Sequence, residues 1–371
     1  MLNAFRQTSR TLLALTALSV AALGSSGCDE AGAQGEGAVA LRVGSGVGGI
    51  TFNTSNWVSA GARDIYEFDR TGAWRTNAYG FEVKLKNVTF VDPQLGKITT
   101  NPASNPSPFT TRVEITSAEN LEVTVFPPLG APTRSFAGAD IVGLELLFNV
   151  KYAGSTTYQT KLRVTDHNLD VAGGDLFELT KLNPANDGLI GPICEVSTLG
   201  DRFARVYGNI SVDAITGAVV EPPDIFHMAC TAGAPGKSST FGYLPHGAPE
   251  TFRLANRVIR ADYCADGYPY TFPGNSLVMR DNFSPGQEGQ SLAQVTAYAQ
   301  AHELVLEAMW DENGVLCVDT PRVDTLDASD VICPVKRNLD GTNAYNWQPP
   351  ACAGFVDPNP QSLRFYSLTA I

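Results

Sequence analysis

Six of the seven cysteines lie in the second half of the 371-residue chain, and they constrain the fold more than any other feature. They are Cys194, Cys230, Cys264, Cys317, Cys333 and Cys352. An even set of cysteines in an exported chain is typical of a disulfide framework. Their spacing does not choose among the pairings, but Cys317 and Cys333 flank a predicted turn, and we expect these two to pair. The second half is therefore predicted to be stapled by disulfides.

The first residues have the pattern of an export signal. Arg6 and Arg10 supply positive charge, and residues 12–23 (LLALTALSVAAL) form an apolar run. This run is shorter than the roughly 20 residues that a membrane-spanning helix needs, and it fits the core of a cleavable signal peptide. We therefore expect residues 1–27 to be removed and the rest of the chain to be exported.

The seventh cysteine, Cys28, stands directly after this leader and follows Ser25, Ser26 and Gly27. Small residues before a cysteine at this position resemble the lipobox of bacterial lipoproteins, although Ser25 stands where leucine is commonest. The resemblance implies cleavage before Cys28 and acylation of its thiol, so that the N-terminal lipid attaches the chain to a membrane. Ordinary secretion, with cleavage after residues 31–33 (AGA), is the alternative.

The composition limits the partners of the exported chain. The formal net charge of the whole 371-residue chain is −12 at pH 7, and a basic face is what nucleic acids and anionic lipid surfaces require, so neither is expected as a partner. With 43% hydrophobic and 17% charged residues the chain has enough apolar side chains for a core. Its length predicts about two domains.

The first part reads as β structure. Residues 28–37 carry no large apolar side chain and are expected to form a flexible tether. Further along, apolar and polar residues alternate in 81–86 (FEVKLK), 144–152 and 158–164. The last two runs are separated by five small residues and predict a β-hairpin. We therefore predict an antiparallel β-sandwich-like domain over residues 38–190.

The second part, residues 191–371, has a mixed pattern and is predicted to be an α+β domain. Residues 249–264 (PETFRLANRVIRADYC) place apolar side chains at helical spacing, with Glu250 in the first turn. Residues 290–301 predict a weaker helix. Residues 303–323 read as two strands around an Asn-Gly turn. The overall fold class is therefore mainly β, with an α+β second domain.

The tetrapeptide Ala261-Asp262-Tyr263-Cys264 closes the first of these predicted helices. Its surroundings resemble the ADYC-domain proteins, a bacterial, mostly exported family named for these four residues. The resemblance extends upstream to residues 226–245 (FHMACTAGAPGKSSTFGYLP) and downstream to residues 306–318 (LEAMWDENGVLCV). It covers roughly residues 194–352, and it implies no established reaction. Ser238 follows Lys237 where the family pattern has a cysteine, which implies that one family disulfide is absent or rewired here.

A structural role for the tetrapeptide follows from its chemistry. Cys264 can bridge the helix end to a strand, and Tyr263 can bury its ring while its hydroxyl finds a partner. Asp262 lies within one turn of Arg257 and Arg260 and is expected to pair with them. The alternative, a catalytic Asp262, has no second carboxylate to support it in the sequence.

Several motifs suggest cofactors or metals but lack a required part. The run 231–239 (TAGAPGKSS) ends like a phosphate-binding loop but lacks its first glycine, and no helix pattern follows the glycines of 44–49 (GSGVGG). The run 302–306 (HELVL) lacks the second histidine of a zinc-protease motif. The polar run 166–175 lacks the glycine and glutamate of a calcium loop. We therefore predict no cofactor and no metal.

Two hypotheses for function follow. The first is a non-catalytic binding or structural module, displayed on the bacterial cell envelope by its lipid or secreted, with a ligand that the sequence does not identify. The second is a hydrolase of envelope or extracellular polymers with Asp262, Asp281 or Glu307 as general acid or base. An enzyme of this kind needs two or more titratable groups converging on a cleft. A binding module shows an exposed apolar or aromatic patch instead.

Overall fold

The structure is a computed structural model, and it describes residues 51–52, 58–104, 107, 109–116, 120–129, 131–152, 154–170, 173–197, 200–213, 217–272, 275–284, 286–337 and 342–370. The predicted signal peptide, Cys28, the tether and the motif at 44–49 lie outside these residues. Predictions about the leader and the lipid anchor therefore remain predictions.

Most of the regular structure in the described residues is β. The strands in chain order are β1 (Thr51–Phe52), β2 (Glu67–Asp69), β3 (Arg75–Thr76), β4 (Phe81–Asp92), β5 (Gly96–Thr100), β6 (Arg112–Thr116), β7 (Glu122–Phe126), β8 (Arg134–Ala137), β9 (Glu145–Tyr152), β10 (Tyr158–Leu169), β11 (Asp175–Leu182), β12 (Leu189–Pro192), β13 (Phe203–Gly208), β14 (Ser211–Val212), β15 (Val219–Val220), β16 (Ile225–Cys230), β17 (Ser276–Asp281), β18 (Leu304–Asp311), β19 (Gly314–Val318), β20 (Cys333–Arg337), β21 (Asn343–Trp347) and β22 (Phe365–Ala370). The α-helices are α1 (Ala234–Thr240), α2 (Pro249–Arg260) and α3 (Leu292–Ala301). Three short 3-10 helices span Ala60–Ala62, Gly138–Ile141 and Ala328–Asp330.

A ten-stranded antiparallel sheet forms the largest unit. Its strand order is β2-β16-β13-β11-β10-β9-β4-β3, with β5 added to β4 and β12 added to β11. The predicted hairpin at its centre is confirmed, since β9 and β10 pair with Val150 opposite Tyr158. Alternate side chains such as Val83, Leu85 and Phe148 are fully buried, which is what a half-buried strand pattern predicts.

The three-stranded sheet β6-β7-β8 adds a second layer to this part of the chain. Its inward residues Val113, Ile115 and Val123 belong to the same hydrophobic core as Val83 and Phe148 of the large sheet. Two sheets that share one core agree with the predicted sandwich-like arrangement.

The boundary predicted at residue 190 does not follow the sheets. Strands β13 and β16 lie beyond it, yet they pair with each other inside the ten-stranded sheet, and β16 also pairs with β2. All six residues of β16 are buried, and helix α1 packs against this strand. A strand covered on both faces shows no alternation, so the sequence pattern did not reveal it as part of this sheet.

The remaining chain forms a five-stranded antiparallel sheet between two helices. The strand order is β1-β17-β22-β18-β19. Leu277, Trp310 and Phe365 face α2 in one core, whereas Tyr366 faces α3 in another together with Val295 of that helix. The two predicted helices and the hairpin of β18 and β19 are confirmed. The first helix ends at Arg260, however, four residues before the predicted end.

The disulfides are Cys194–Cys230, Cys264–Cys333 and Cys317–Cys352. The predicted Cys317–Cys333 pair is wrong. Cys317 lies in the core beneath α3, where Cys352 also lies, whereas Cys333 meets the chain that leaves α2. The Cys194–Cys230 disulfide belongs to the core of the large sheet, so the disulfides are not confined to a separate second domain.

Proteolysis of the unreduced protein tests this connectivity. Mass spectrometry is expected to find three cross-linked peptide pairs, joining Cys194 to Cys230, Cys264 to Cys333 and Cys317 to Cys352. Buried bridges of this kind resist exchange because attacking thiolates do not reach them. A cross-linked peptide that joins Cys317 to Cys333, or free thiols among the six, would contradict the described fold.

Candidate functional site

Helix α2 ends in a left-handed residue that directs the tetrapeptide into a turn. Ala261 has φ 50° and ψ 43°, a conformation that costs an L residue about 1–2 kcal/mol, so surrounding contacts must hold it. Its N–H donates to the carbonyl of Val258, and the N–H of Asp262 donates to that of Arg257 at 2.9 Å. The helix therefore ends at a defined residue, and the following side chains turn back toward its last turn.

Asp262 organises this turn from inside the protein. Its carboxylate is fully buried and accepts hydrogen bonds from the N–H groups of Asp266 at 3.1 Å and Gly267 at 3.1 Å. Burial raises the pKa of Asp262 to about 6, although the positive charges of Arg257 and Arg260 oppose that shift. Burial also lowers the pKa of Arg260 to about 10. The charges of both arginines therefore act on Asp262, whereas the ion pair that the sequence predicts remains a prediction.

Tyr263 lies in the centre of the second core. Its ring is fully buried and stacks on Trp310, with the ring centroids 5.2 Å apart and the planes at 15°. Its hydroxyl donates to Oε1 of Glu307 at 2.6 Å. The predicted burial of the ring with a satisfied hydroxyl is confirmed. The tetrapeptide and the downstream segment that carry the family resemblance thus meet in one contact.

The turn between β18 and β19 fits closely against the backbone of Tyr263. Gly314 has φ +106°, and a Cβ at this position would lie 2.7 Å from the carbonyl oxygen of Tyr263. The next residue, Val315, donates its N–H to the same oxygen at 2.9 Å. The Asn-Gly sequence of this turn therefore serves both the hairpin and the tetrapeptide.

A fully buried ion pair joins these parts. Arg322 contacts both carboxylate oxygens of Glu307, at 2.8 Å through Nε and at 2.6 Å through a terminal nitrogen. The same guanidinium donates to the carbonyls of Val258 at 2.8 Å and Ile259 at 3.3 Å, in the last turn of α2. Sequence analysis missed Arg322, because a single arginine between proline and valine carries no pattern. Glu307 was recognisable as one acidic residue in an apolar strand.

Lys336 closes the turn from the other side. Its ammonium donates to the carbonyls of Asn313 and Val315, both at 2.8 Å, and lies 3.9 Å from Asp311. Burial lowers the pKa of Lys336 to about 8. The predicted link from Cys264 to a strand is confirmed in β20, where the disulfide to Cys333 holds this strand beside the helix end.

The three carboxylates proposed as general acid or base are all fully buried. Those of Asp262 and Glu307 form part of the tetrapeptide network. That of Asp281 accepts hydrogen bonds from a different set of donors, the hydroxyls of Tyr243 at 2.8 Å and Ser284 at 2.6 Å. Each carboxylate therefore serves to hold neighbouring groups in place, and the network around the tetrapeptide has the chemistry of a structural joint.

A cleft of about 470 Å³ lies elsewhere, between the start of α3 and the chain near residue 357. Its size is within the 300–1,000 Å³ range typical of small-molecule sites. The lining residues are Asn282, Gly289, Gln290, Ser291, Leu292, Ala293, Met309, Phe355, Val356, Asp357, Pro360, Gln361 and Tyr366. Met309 and Tyr366 are nearly fully buried beneath it. The cleft thus combines an apolar floor with a polar rim.

Asp357 is the one carboxylate among these lining residues, and an ion pair holds it in place. Asp357 binds the guanidinium of Arg364 through both oxygens, each at 2.9 Å. Burial acts to raise the pKa of Asp357, but the hydrogen bonds from Arg364 and from the N–H of Asn359 outweigh it and lower the pKa. The hydroxyl of Tyr366 donates to the carbonyl of Gln290 at 2.8 Å. This arrangement fits ligand binding better than proton transfer.

Metal ligands are not grouped in the described ranges. No set of three or more His, Cys, Asp or Glu side chains there could hold an ion. In the polar run 166–175, which includes the end of β10 and the start of β11, the carboxylate of Asp170 pairs with the guanidinium of Arg205, and Asp175 lies 2.7 Å from His167.

Replacing Asp262 with asparagine is expected to change how stability depends on pH. The folded-state pKa of about 6 exceeds the unperturbed 3.8, so folding favours the protonated carboxyl group. This contribution is fully present below about pH 4 and is lost as pH rises through about 6. The free energy of unfolding of the wild type minus that of Asp262→Asn is therefore expected to fall by up to about 3 kcal/mol over that range.

Guanidinium unfolding at a series of pH values measures this difference. The exposed Asp166→Asn variant shows how much pH dependence the loss of a surface carboxylate produces. A difference that rises with pH for Asp262→Asn would show instead that the ionised carboxylate is stabilised by the two arginines.

Comparison with known proteins identifies one family. The model of the ADYC domain matches residues 138–324, just over half of the chain. The match begins before β9 and ends beyond Arg322, so it includes the centre of the large sheet, which the sequence resemblance left unexplained, as well as the buried ion pair. No curated protein matches the chain. No solved structure matches it either. The extent of the family match shows that the chain belongs to the ADYC-domain family.

Proposed function

We propose that the protein is a non-catalytic binding module of the bacterial cell envelope, and that its ligand occupies the cleft at the start of α3. The observation that carries the proposal is a cleft of about 470 Å³ whose one lining carboxylate is engaged by Arg364. The partly or fully exposed side chains of Leu292, Phe355 and Val356 supply apolar surface for the body of a small organic ligand. Rim groups such as Gln361 are placed to orient its polar part.

Burial of the candidate acids argues against the hydrolase alternative. General acid or base catalysis needs a carboxyl group within hydrogen-bond reach of the substrate. Asp262, Asp281 and Glu307 are fully buried, and each accepts hydrogen bonds from the protein. A hydrolase built on them would have to open its core to bind substrate.

The membrane attachment in this proposal rests on Cys28 and the residues before it. In the part of the chain that the structure describes, no helix has the length and hydropathy needed to span a bilayer. A lipid on Cys28, together with a short tether, would hold the folded part at the envelope surface. Secretion without an anchor is the alternative location.

Cell fractionation tests the anchor. We expect Cys28→Ala to move the protein from the membrane fraction to the soluble fraction, because the substitution removes the acylated thiol. Ser25→Ala, which keeps a small residue before the cysteine, serves as the control and is expected to stay in the membrane fraction. Retention of the Cys28→Ala protein in the membrane would disprove lipid attachment at this residue.

Filling the cleft tests the binding site. The probe is the dye 8-anilinonaphthalene-1-sulfonate, an apolar anion whose fluorescence rises when it leaves water. We expect Ala293→Trp, which places an indole at the cleft, to weaken dye binding by roughly tenfold or more, because about 1.4 kcal/mol of lost contact suffices. Ala293 and Ala297 are both exposed on α3, but only Ala293 lines the cleft.

The matched control is therefore Ala297→Trp, which is expected to bind the dye as the wild type does. Fluorescence titration of the three proteins gives the comparison. Equal binding by the Ala293→Trp protein and the wild type would show that the cleft is not the dye site and would remove the support for this proposal.

A further inference from the structure

A second surface of the molecule carries exposed aromatic rings. Tyr268, Phe272 and Tyr345 are 63%, 66% and 71% exposed, and Ile332 and Val335, in or just before β20, are also exposed. Contiguous apolar side chains at the surface of a soluble protein mark interaction sites more often than chance exposure. These five residues are called the aromatic surface below.

The structure brings the two segments of the aromatic surface together. The disulfide Cys264–Cys333 joins the turn that precedes Tyr268 to the hairpin of β20 and β21, with the Cα atoms 5.1 Å apart. Within the hairpin Val335 lies directly opposite Tyr345, so their side chains share a face. Tyr268 also contacts the ring of Tyr270, and Tyr270 and Trp347 pack on one core.

The segments that carry these rings, and the chain just before β20, also carry exposed carboxylates. In the described side chains of residues 265–272, 324–336 and 342–347 the exposed charged groups are all acidic: Asp266, Asp324, Asp327 and Asp330. Lys336, the one cation among the described side chains of these segments, is buried and donates to backbone carbonyls. The surface therefore presents negative charge beside aromatic faces.

We propose that the aromatic surface docks a basic segment of a partner protein, one rich in lysine or arginine. A cation over the face of a tyrosine ring is attracted to it, and nearby carboxylates add to that attraction. The long apolar stems of lysine and arginine also pack on aromatic rings. An acidic partner would be repelled by the four carboxylates, and a purely apolar partner would desolvate them without pairing their charge. This site is separate from the cleft at α3, and it stands whether or not the cleft binds a ligand.

Fluorescence anisotropy with a labelled peptide of five Lys-Ala repeats tests the proposal on the full folded chain. We expect Tyr268→Ala with Tyr345→Ala to weaken binding by about tenfold, since two cation–π contacts are lost while the net charge stays the same. The control is Phe109→Ala with Leu129→Ala, which removes two exposed apolar side chains elsewhere and is expected to bind within about twofold of the wild type.

The contribution of charge is measured separately. Asp266→Asn with Asp324→Asn is expected to weaken peptide binding and to reduce its sensitivity to salt. Asp140→Asn with Asp166→Asn removes the same charge from exposed positions outside the aromatic surface and is expected to have a smaller effect. Circular dichroism verifies that every variant is folded.

Three results would overturn the proposal. One is equal binding by the wild type and the double tyrosine variant. Another is equal binding of a Glu-Ala repeat peptide. The third is a pattern in which the wild type fails to bind the basic peptide but is retained on insoluble cell-wall glycan, while the tyrosine variant is not retained. This pattern would show that the rings bind carbohydrate.

Discussion

The buried pair of Glu307 and Arg322 holds together the part of the molecule that gives the family its name. Arg322 donates hydrogen bonds to the last carbonyls of α2, and Glu307 accepts a hydrogen bond from the hydroxyl of Tyr263. Removing either partner would leave an uncompensated charge among apolar side chains, which is far costlier than losing a surface pair. The stacking of Tyr263 on Trp310 and the closely fitted hairpin are linked to this pair through Tyr263, and the left-handed residue is linked to it through the last turn of α2.

The local elements of the fold were predictable from the sequence, and their assembly was not. Alternation located the hairpin at 144–164, and helical spacing located α2, because each of these elements has one buried and one exposed face. Strand β16 has no exposed face, so its residues show no alternation of apolar and polar side chains that would have predicted its place in the large sheet. The disulfide partner of Cys317 was missed for a related reason, since the pairing depends on which face of β19 the cysteine occupies and not on its distance along the chain.

The residues of the tetrapeptide network also divide into those that the sequence predicted and those that it did not. The chemistry of Tyr263 and Cys264 predicted a buried ring with a bound hydroxyl and a bridge to a strand. Arg322 and Lys336 could not be predicted, because their partners are mainly backbone carbonyls that become neighbours only in the folded chain. A titratable residue within a family motif thus does not by itself indicate catalysis. Here the carboxylates hold neighbouring groups in place, and the cleft and the aromatic surface are the sites that we propose for partners.

Strand β1 has a geometric consequence for how the folded part sits at an interface. Thr51 pairs with Leu277, so the first described residues lie at the outer edge of the five-stranded sheet and not in the large sheet. Fewer than 25 residues separate Cys28 from Thr51, and a fully extended chain spans at most ~3.6 Å per residue. If Cys28 carries a lipid, that sheet edge remains within roughly 80 Å of the bilayer. The number of residues between Cys28 and Thr51 would thus limit how far that edge, and any partner bound there, lies from the membrane.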